Sequence, residues 1–306
     1  MKLLADTGVA VKNFLGLGFD IYWYGILIAG GFFLAFLLST YLAKKRAYPE
    51  DLITDLLLLS VLGAVIGARL YYVIFAWDHF YVPGNLSATL GNIVNVRQGG
   101  LAIFGGIIGG VLLMTVYAKI KKYKVWELTD LAAASLALGQ AIGRWGNFFN
   151  QEAHGALVEN PSFQFFPYAV YLDHPKGSEP AGWYQATFFY ESLWCLLLAG
   201  ILVWVFLKAR YRGQATLTYF ALYGLERGCV EWLRTDQLKI GSLPVSALLS
   251  LALFAICTTV LIVLRIKGYT SPILFEEERR QSAKNNQKNK KDTGEDPDHG
   301  TESEIR

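Results

Sequence analysis

Charged residues are scarce in this chain, and cysteines are rare. Asp, Glu, Lys and Arg make up 17% of the 306 residues, whereas hydrophobic residues make up 53% and the mean hydropathy is +0.32. This composition excludes an ordinary soluble domain of this length. The three cysteines, Cys195, Cys229 and Cys257, each lie within an apolar run. We expect them to pack as small hydrophobic side chains rather than to form a disulfide or a metal site.

Other signals are also missing. No basic stripe interleaved with aromatic residues is present, and the formal net charge is only +3, so we expect no nucleic-acid partner. We expect no metal and no cofactor. Residues 1–18 lack the charged start, apolar middle and small-residue cleavage site of a signal peptide. This segment is therefore expected to remain as an outer N-terminal segment.

Long apolar runs dominate the rest of the chain. Each has about the 20 residues that a helix needs to cross the hydrocarbon layer. The pattern predicts an all-α polytopic membrane protein with seven transmembrane helices. We place the spans near residues 19–42, 52–76, 100–120, 130–150, 187–207, 215–234 and 243–264.

Basic residues cluster in alternate connections between these spans. The richer connections contain Lys44, Lys45, Arg46, Lys119, Lys121, Lys122, Lys124, Lys208, Arg210, Arg212, Arg265 and Lys267. Because cytoplasmic loops carry an excess of Lys and Arg, the N-terminus is predicted outside and the C-terminus in the cytoplasm.

The spans divide the chain into three regions. A membrane domain is predicted over 19–265, with outer-facing loops at 77–99 and 151–186 that are long enough to contain structure. These loops are rich in aromatic residues, which suits either an interfacial belt or a cover over a site that opens on the outer leaflet. Residues 266–306 form a charged cytoplasmic tail, which from Phe275 onward has too few apolar residues to fold.

The segment 143–155 places an arginine and several polar residues at the end of the fourth span. Arg144 lies about 14 residues, or roughly 21 Å, from the cytoplasmic start of that span. Gly143, Asn147 and Asn150 share one helical face, and Asn147 is one turn from Arg144. Arginine with nearby amides suits a phosphate clamp. The alternative is an arginine that extends to the outer interface.

The sixth span carries a second polar stripe. Tyr223, Arg227, Glu231 and Arg234 are spaced i, i+4, i+8 and i+11, so they share one face of a predicted helix. We expect Glu231 to neutralise Arg227 as an i, i+4 pair and the stripe to keep a positive excess. Such a stripe must face the bundle interior or a wet cavity. The alternative is an ion-pair network that only holds helices together.

Other polar positions allow two interpretations each. Tyr24 could donate a hydrogen bond to a lipid headgroup or belong to an aromatic belt. Glu191 is a further carboxylate near an outer helix end, and His154 is expected at the interface rather than in catalysis. The glycines of 99–110 indicate close helix packing or a backbone that lines a cavity.

The sequence resembles a known family in these segments. The pattern Gly-Arg-x-Gly-Asn-Phe-x-Asn-x-Glu-x-x-Gly at 143–155 matches the signature of the prolipoprotein diacylglyceryl transferases at every fixed position. Further similarity lies in 22–25, 99–103, 187–192 and 223–227, so the resemblance covers about 19–265.

The resemblance implies a seven-span bacterial inner-membrane enzyme that moves diacylglyceryl from phosphatidylglycerol to the lipobox cysteine of a prolipoprotein signal peptide. The products would be a thioether and glycerol phosphate. By this resemblance the catalytic residues are Arg144, Arg227, Glu152 and Tyr24. The implied phosphatidylglycerol-binding residues are Arg144, Asn147, Asn150, Gly155, Tyr223, Glu231 and Arg234. Many members of the family carry histidine where this chain has Phe104, which cannot act as a base.

The expected chemistry is thiolate attack on the glycerol carbon that carries the phosphate. Arginines around the phosphate would stabilise the charge that grows as the C–O bond breaks. Glu152 or Glu231 could accept the thiol proton or could hold an arginine, and the spacing of Glu231 favours the second role. Two other classes stay open from the residues alone: an anion transporter or channel, and a receptor-like seven-span protein.

Overall fold

The computed structural model describes residues 8–13, 16, 20–96, 99–176, 179–235, 239–240 and 243–271. The predicted tail from residue 272 and most of the N-terminal segment lie outside these ranges. The described chain is mainly helical. Its α-helices are α1 Trp23–Lys45, α2 Leu52–Phe75, α3 Leu86–Val94, α4 Ile103–Ile120, α5 Val125–Phe149, α6 Thr187–Lys208, α7 Gln214–Val230 and α8 Val245–Ile266.

Five of the described helices are long and apolar enough to cross a membrane, namely α1, α2, α4, α6 and α8. This agrees with the prediction of a helical membrane protein. Helices α5 and α7 coincide with the other two predicted spans but are more polar. Helix α5 carries Glu127, Asp130 and Arg144, and α7 has only 17 residues, which include Glu226 and Arg227.

The prediction of an all-α membrane protein with structured outer loops did not include the short strands that the described residues contain. Three two-stranded antiparallel sheets are present: β1 Val9–Val11 with β2 Ile21–Tyr22, β3 Ala169–Leu172 with β4 Gly182–Gln185, and β5 Lys239–Ile240 with β6 Leu243–Pro244. The β3–β4 hairpin lies in the loop 151–186, and α3 lies in the loop 77–99. Strands this short give too little sequence periodicity to predict.

Helix α5 is the central element of the bundle. It packs against α1, α6 and α7, while α7 also packs along α8. Small and aliphatic side chains of α5, among them Ala134 and Ala137, are fully buried against the bundle and contribute to one core with Leu198 and Leu202 of α6. Because α5, α6 and α7 contact one another, polar residues at the same depth on these helices can meet.

Helices α2 and α4 are held together by glycines. A Cβ atom on Gly67 would lie 2.3 Å from the carbonyl oxygen of Gly105, and one on Gly109 would lie 2.1 Å from that of Gly63. The two backbones therefore touch without intervening side chains, as in membrane helix pairs with small interface residues. This confirms close packing for the glycines that open the third predicted span.

The start of α7 is anchored to α5. Asp130 Oδ2 accepts a hydrogen bond from the backbone N–H of Gly213 at 2.6 Å, and Oδ1 accepts from the N–H and hydroxyl of Thr216 at 2.8 and 2.7 Å. These bonds satisfy amide groups that a helix start leaves unpaired. Nearby, Arg212 Nε lies 2.6 Å from Glu127 Oε1. The contacts fix the position of α7 along α5, and hence the depth of Arg227 relative to Arg144.

Candidate active site

Two arginines from different helices converge on one buried carboxylate. Glu191 lies in the second turn of α6, and its side chain is 1% exposed. Its Oε2 atom is 2.5 Å from Nη2 of Arg144 on α5 and 3.3 Å from Nη1 of Arg227 on α7. A carboxylate at this depth is costly unless it is paired. Glu191 therefore joins three helices and fixes the direction of both guanidinium groups.

The arginine cluster extends beyond the end of α7. Nη2 of Arg227 lies 2.6 Å from Oε2 of Glu231, which is the i, i+4 pair that the spacing predicts. Ser246 on α8 donates a hydrogen bond to the other oxygen of Glu231. Nη1 of Arg234 lies 3.7 Å from Oε1 of Glu191. We call Arg144, Glu191, Arg227, Glu231 and Arg234 the arginine cluster.

Two expectations for the sixth span were wrong. First, the predicted span 215–234 is not one continuous helix: α7 ends at Val230, a 3₁₀ turn follows over Glu231–Leu233, and Arg234 is extended. Second, the count of two arginines against one carboxylate overlooked Glu191, which pairs with both, although the three arginines of the cluster still outnumber Glu191 and Glu231. Spacing along one helix reports which residues share a face, but not what a neighbouring helix places opposite them.

Glu226 is a further carboxylate that the sequence interpretation missed. It lies on α7, its residue is 5% exposed, and it directly precedes Arg227. Neither of its carboxylate oxygens has a hydrogen-bond partner among the described residues. Its electrostatic neighbours include Glu191, Arg144 and Arg227. A buried polar group of this kind is uncommon and requires an explanation.

The signature segment begins near the end of α5, where the ring of Tyr24 packs against the helix backbone. A Cβ atom on Gly146 would lie 2.4 Å from Cδ2 of Tyr24, so glycine allows the tyrosine ring to rest on the helix backbone. Phe149, one turn after Gly146 on α5, stacks on Trp23, with ring centroids 5.3 Å apart. The ring of Tyr24 is partly exposed, and its hydroxyl has no partner in the described part of the chain. Tyr24 therefore presents a free hydroxyl beside the signature segment.

The two asparagines of the signature segment contact Glu152, whereas Arg144 contacts Glu191. Nδ2 of Asn147 and Nδ2 of Asn150 donate to Oε1 of Glu152 at 3.2 and 3.0 Å. Lys176 forms an ion pair with Oε2 of the same residue. We call Asn147, Asn150, Glu152 and Lys176 the loop brace. It connects the end of α5 to the chain that follows β3.

The surroundings of Glu152 determine its protonation. Burial would raise the pKa of Glu152, but hydrogen bonds from Lys176 and Asn150, the charge of Lys176 and the bond from Asn147 hold this pKa below its ordinary value of 4.5. The carboxylate is therefore ionised at neutral pH. A carboxylate with a lowered pKa is a weak proton acceptor, and its contacts are those of a structural brace.

Gly155 connects the loop brace to the arginine cluster. Its backbone N–H donates to the carbonyl of Gln185 at 3.1 Å, and it forms an antiparallel β-bridge with Arg234. A Cβ atom at this position would lie 2.7 Å from the side chain of Gln185 and 3.0 Å from the carbonyl oxygen of Leu233. Only glycine fits between these two segments without a shift.

Tyr223 lies within the bundle on the approach to the arginines. Its ring stacks on Tyr219 at 5.4 Å with an interplanar angle of 7°. Tyr219 in turn donates to Oε1 of Gln140 on α5 at 3.0 Å. His154, in the loop after α5, is buried, and its ring lies 4.5 Å from that of Tyr184.

The predicted site residues therefore fall into two neighbouring groups. Arg144, Arg227, Glu231 and Arg234 meet around Glu191, whereas Asn147 and Asn150 meet around Glu152. Sequence reasoning missed Glu191 as the centre of the first group and Lys176 as a member of the second. A carboxylate inside an apolar span is itself a functional signal, and that signal was available for Glu191.

The fold and the arginine cluster define a helical membrane protein with a charged site enclosed by three helices. The family model described as prolipoprotein diacylglyceryl transferase matches residues 12–263, and the chain belongs to this family. The chain is 41% identical over 267 residues to a protein of Bacillus cytotoxicus named phosphatidylglycerol--prolipoprotein diacylglyceryl transferase, covering 85% of this chain and 93% of that protein.

Relatives from two other organisms carry the same name. The Finegoldia magna protein is 41% identical over 263 residues, which cover 86% of this chain and 96% of the relative. A Clostridium botulinum protein is 44% identical over 231 residues, covering 75% of this chain and 88% of the relative. These matches confirm the resemblance found in the signature segment and identify the chain as a transferase.

Proposed function

We propose that this chain transfers the diacylglyceryl group of phosphatidylglycerol to the lipobox cysteine of prolipoproteins. The reaction forms a thioether, releases glycerol phosphate and begins lipoprotein maturation. The observation that carries the proposal is the convergence of Arg144 and Arg227 on a single carboxylate oxygen of Glu191. Two guanidinium groups aimed at one oxygen form a suitable receptor for a phosphate diester.

The arginines bind the leaving group. The side chains of Arg144 and Arg227 are 18% and 19% exposed, so a phosphate can reach them, whereas Glu191 is enclosed behind them. Each guanidinium has several donors, and only part of them face Glu191. Arg234, whose side chain is 12% exposed, adds a third positive charge on the same side.

In the reaction, the lipobox thiol releases its proton, which ends on the departing glycerol phosphate or in water, and the sulfur attacks the glycerol carbon bound to the phosphate. The S–C bond forms, the C–O bond breaks, and the electron pair stays on the phosphate oxygen of the departing glycerol phosphate. Negative charge on the phosphate therefore grows in the transition state. Arginines already fixed by Glu191 and Glu231 stabilise that charge without reorganisation.

The remaining predicted residues position the substrates. Asn147 and Asn150 orient headgroup oxygens from the edge of the loop brace, and Glu152 keeps their amides in place. Gly155 allows the signature loop to approach Arg234. Tyr24 and Tyr223 offer hydroxyls to the lipid on either side of the arginines, and Glu231 holds Arg227. Phe104 cannot accept the thiol proton, and the nucleophile comes from the substrate, so Cys195, Cys229 and Cys257 are not required.

The topology follows from the same proposal. We place seven helices across the bacterial inner membrane, with α5 and α7 as the two polar spans, the N-terminus outside and the C-terminus in the cytoplasm. The distribution of Lys and Arg between connections supports this orientation. The enclosed charges explain the lower hydropathy of α5 and α7, because ionised residues in a membrane face the bundle interior. In this orientation the arginine cluster lies near the outer leaflet.

Mass spectrometry of a lipobox peptide tests the proposal. The peptide is incubated with purified protein and phosphatidylglycerol vesicles, and the expected product gains one diacylglyceryl group on its cysteine. We expect no gain with Arg144→Ala or Arg227→Ala, and a normal gain with Lys121→Ala, which removes an exposed charge far from the cluster. Unchanged turnover in either arginine variant would contradict the phosphate role. Failure of correctly inserted wild-type protein with several peptides would favour an anion transporter, tested by flux into vesicles.

A further inference from the structure

A cavity of about 620 Å³ lies at the other end of the bundle from the arginine cluster. It is enclosed by the last turns of α6 and α8, by the loop that leads into α7, and by residues 268–270. Its volume is in the range of ordinary ligand sites. It shares no residue with the arginine cluster or the loop brace.

The wall of this cavity is held by specific contacts. The backbone N–H of Ser271 donates to the carbonyl of Arg210 at 3.1 Å, and the hydroxyl of Ser271 accepts from the N–H of Arg212 at 2.9 Å. The rings of Tyr211 and Tyr269 lie 5.7 Å apart in an edge-to-face arrangement. The chain after α8 is therefore fastened to the α6–α7 loop, and the cavity is part of the folded structure.

The charges that line this cavity are all positive. Lys208, Arg210 and Arg265 contribute to its wall, and no Asp or Glu in the described part of the chain does. Within the described ranges, none of these three side chains forms an ion pair. Two carboxylates that contact the α6–α7 loop are already engaged, Glu127 by Arg212 and Asp130 by the start of α7. Among the residues that the structure describes, the wall of this cavity therefore contains no counter-charge, unlike the arginine cluster.

Part of the remaining wall is apolar and lies at the side of the bundle. Trp204, Leu261 and Leu264 line the cavity where α6 and α8 run into the membrane, and Trp204 is 65% exposed. A ligand with a negatively charged headgroup and a hydrocarbon tail would match both the basic part and the apolar part of the wall. The topology rule accounts for lysines and arginines at this end, but not for their convergence on one concave site with an apolar side wall.

We propose that this cavity binds an anionic phospholipid of the adjacent leaflet, with its headgroup phosphate among Lys208, Arg210 and Arg265 and an acyl chain along Trp204 and Leu264. Basic pockets between helices at a membrane surface recognise phospholipid headgroups in this way. The site is distinct from the substrate site at the arginine cluster. It does not depend on the proposed reaction, because it concerns lipid that is bound and not consumed.

Native mass spectrometry of the full chain in micelles tests the proposal. Phosphatidic acid is titrated against phosphatidylcholine, and the affinity for each bound lipid is measured. The test variant is K208Q/R210Q/R265Q. The matched control is K119Q/K121Q/K122Q, which removes three exposed charges from the α4–α5 connection and leaves the cavity intact. Both variants keep the arginine cluster, so lipid bound there does not affect the comparison.

We expect the wild type to bind one phosphatidic acid at this site in preference to phosphatidylcholine. Affinity should fall about tenfold more in the test variant than in the control, because only the test variant removes the cations that would contact the headgroup phosphate. Transfer activity at saturating phosphatidylglycerol should be unchanged in the test variant. Equal losses in the two variants would overturn the site in favour of general surface attraction.

Two further arms exclude other occupants. Inorganic phosphate at millimolar concentration should not displace the lipid, because it lacks an acyl chain, and displacement would identify a free-anion site instead. The variant E276Q/E277Q/E278Q removes the acidic residues that follow the cavity in the sequence. Unchanged lipid affinity supports the proposal. A gain of about tenfold would overturn lipid as the resident occupant, because it would mean that this acidic segment fills the cavity in the full chain and that lipid enters only when the segment is displaced.

Discussion

Arg144 on α5 and Glu191 on α6 are joined by an ion pair of 2.5 Å between Nη2 and Oε2. The same oxygen also faces Arg227. The site is thus organised around a carboxylate rather than around the arginines that the signature segment emphasises. The affinity of this site for phosphate depends on how firmly Glu191 holds the two guanidinium groups.

Replacing the central carboxylate should damage both stability and activity. We expect Glu191→Gln to lower the free energy of unfolding by about 2–4 kcal/mol, because it leaves several arginines without their counter-charge in a largely enclosed site. Thermal unfolding in detergent measures the effect, with Glu159→Gln at an exposed loop position as the control. Equal unfolding temperatures for the two variants would contradict this prediction, and the transfer assay should show loss only for Glu191→Gln.

The stabilising effect of the loop brace should decrease in acid. The pKa of Glu152 is lowered in the folded protein, so its stabilising effect is complete above its ordinary value of 4.5 and is lost as the pH falls through the lower folded pKa. Lys176→Gln should therefore reduce stability near neutral pH by less than about 1 kcal/mol, since Lys176 is exposed. The difference from wild type should shrink below about pH 4. A difference that grows in acid would refute the pairing.

The glycine contact between α2 and α4 should not tolerate a methyl group. Gly67→Ala places its Cβ 2.3 Å from a backbone oxygen of α4, which cannot move aside as a side chain would. We expect a loss of about 1–3 kcal/mol, by analogy with overpacked cores. The control is Gly200→Ala on α6, where a Cβ meets nothing within 4 Å and helix propensity improves. Similar unfolding temperatures for both variants would count against the close approach.

Replacing Glu226 should increase the stability of the protein, whereas the substitutions above should decrease it. Both of its oxygens are buried without a hydrogen-bond partner among the described residues. An apolar residue of similar size should be stabilising there, so we expect Glu226→Leu to raise the free energy of unfolding by about 1–3 kcal/mol. Chemical or thermal unfolding in detergent gives the measurement. A less stable variant would contradict the conclusion that the Glu226 carboxylate has no hydrogen-bond partner in the described part of the protein. A variant that is more stable but no longer transfers the diacylglyceryl group would assign Glu226 a part in the reaction.

Much of the helical framework could be predicted from the sequence. Hydropathy placed long helices within a few residues of α1, α2, α4, α6 and α8, because these helices meet lipid and their apolar runs are long. The pairing of Arg227 with Glu231 was also predictable, because both residues lie on consecutive turns. Such local spacing is a property of one segment and needs no knowledge of its neighbours.

The rest of the site depends on contacts between segments that are distant in sequence. Glu191 pairs with Arg144 and Arg227 only because α5, α6 and α7 meet at one depth, and no spacing within a helix encodes that. Asn147 shares its helix end with Arg144 yet bonds to Glu152, because the chain turns back after Phe149. The end of α7 at Val230 was missed because the polar periodicity continues to Arg234.

The distribution of the arginine cluster over three helices also has a consequence for biosynthesis. Arg144 is translated before Glu191, and Arg227 is translated after both. When α5 leaves the ribosome, its arginine has no counter-ion, and an isolated α5 would carry an unpaired cation into lipid. In the proposed seven-span topology, helix α5 would therefore wait in a hydrated environment until α6 delivers the carboxylate that pairs with Arg144.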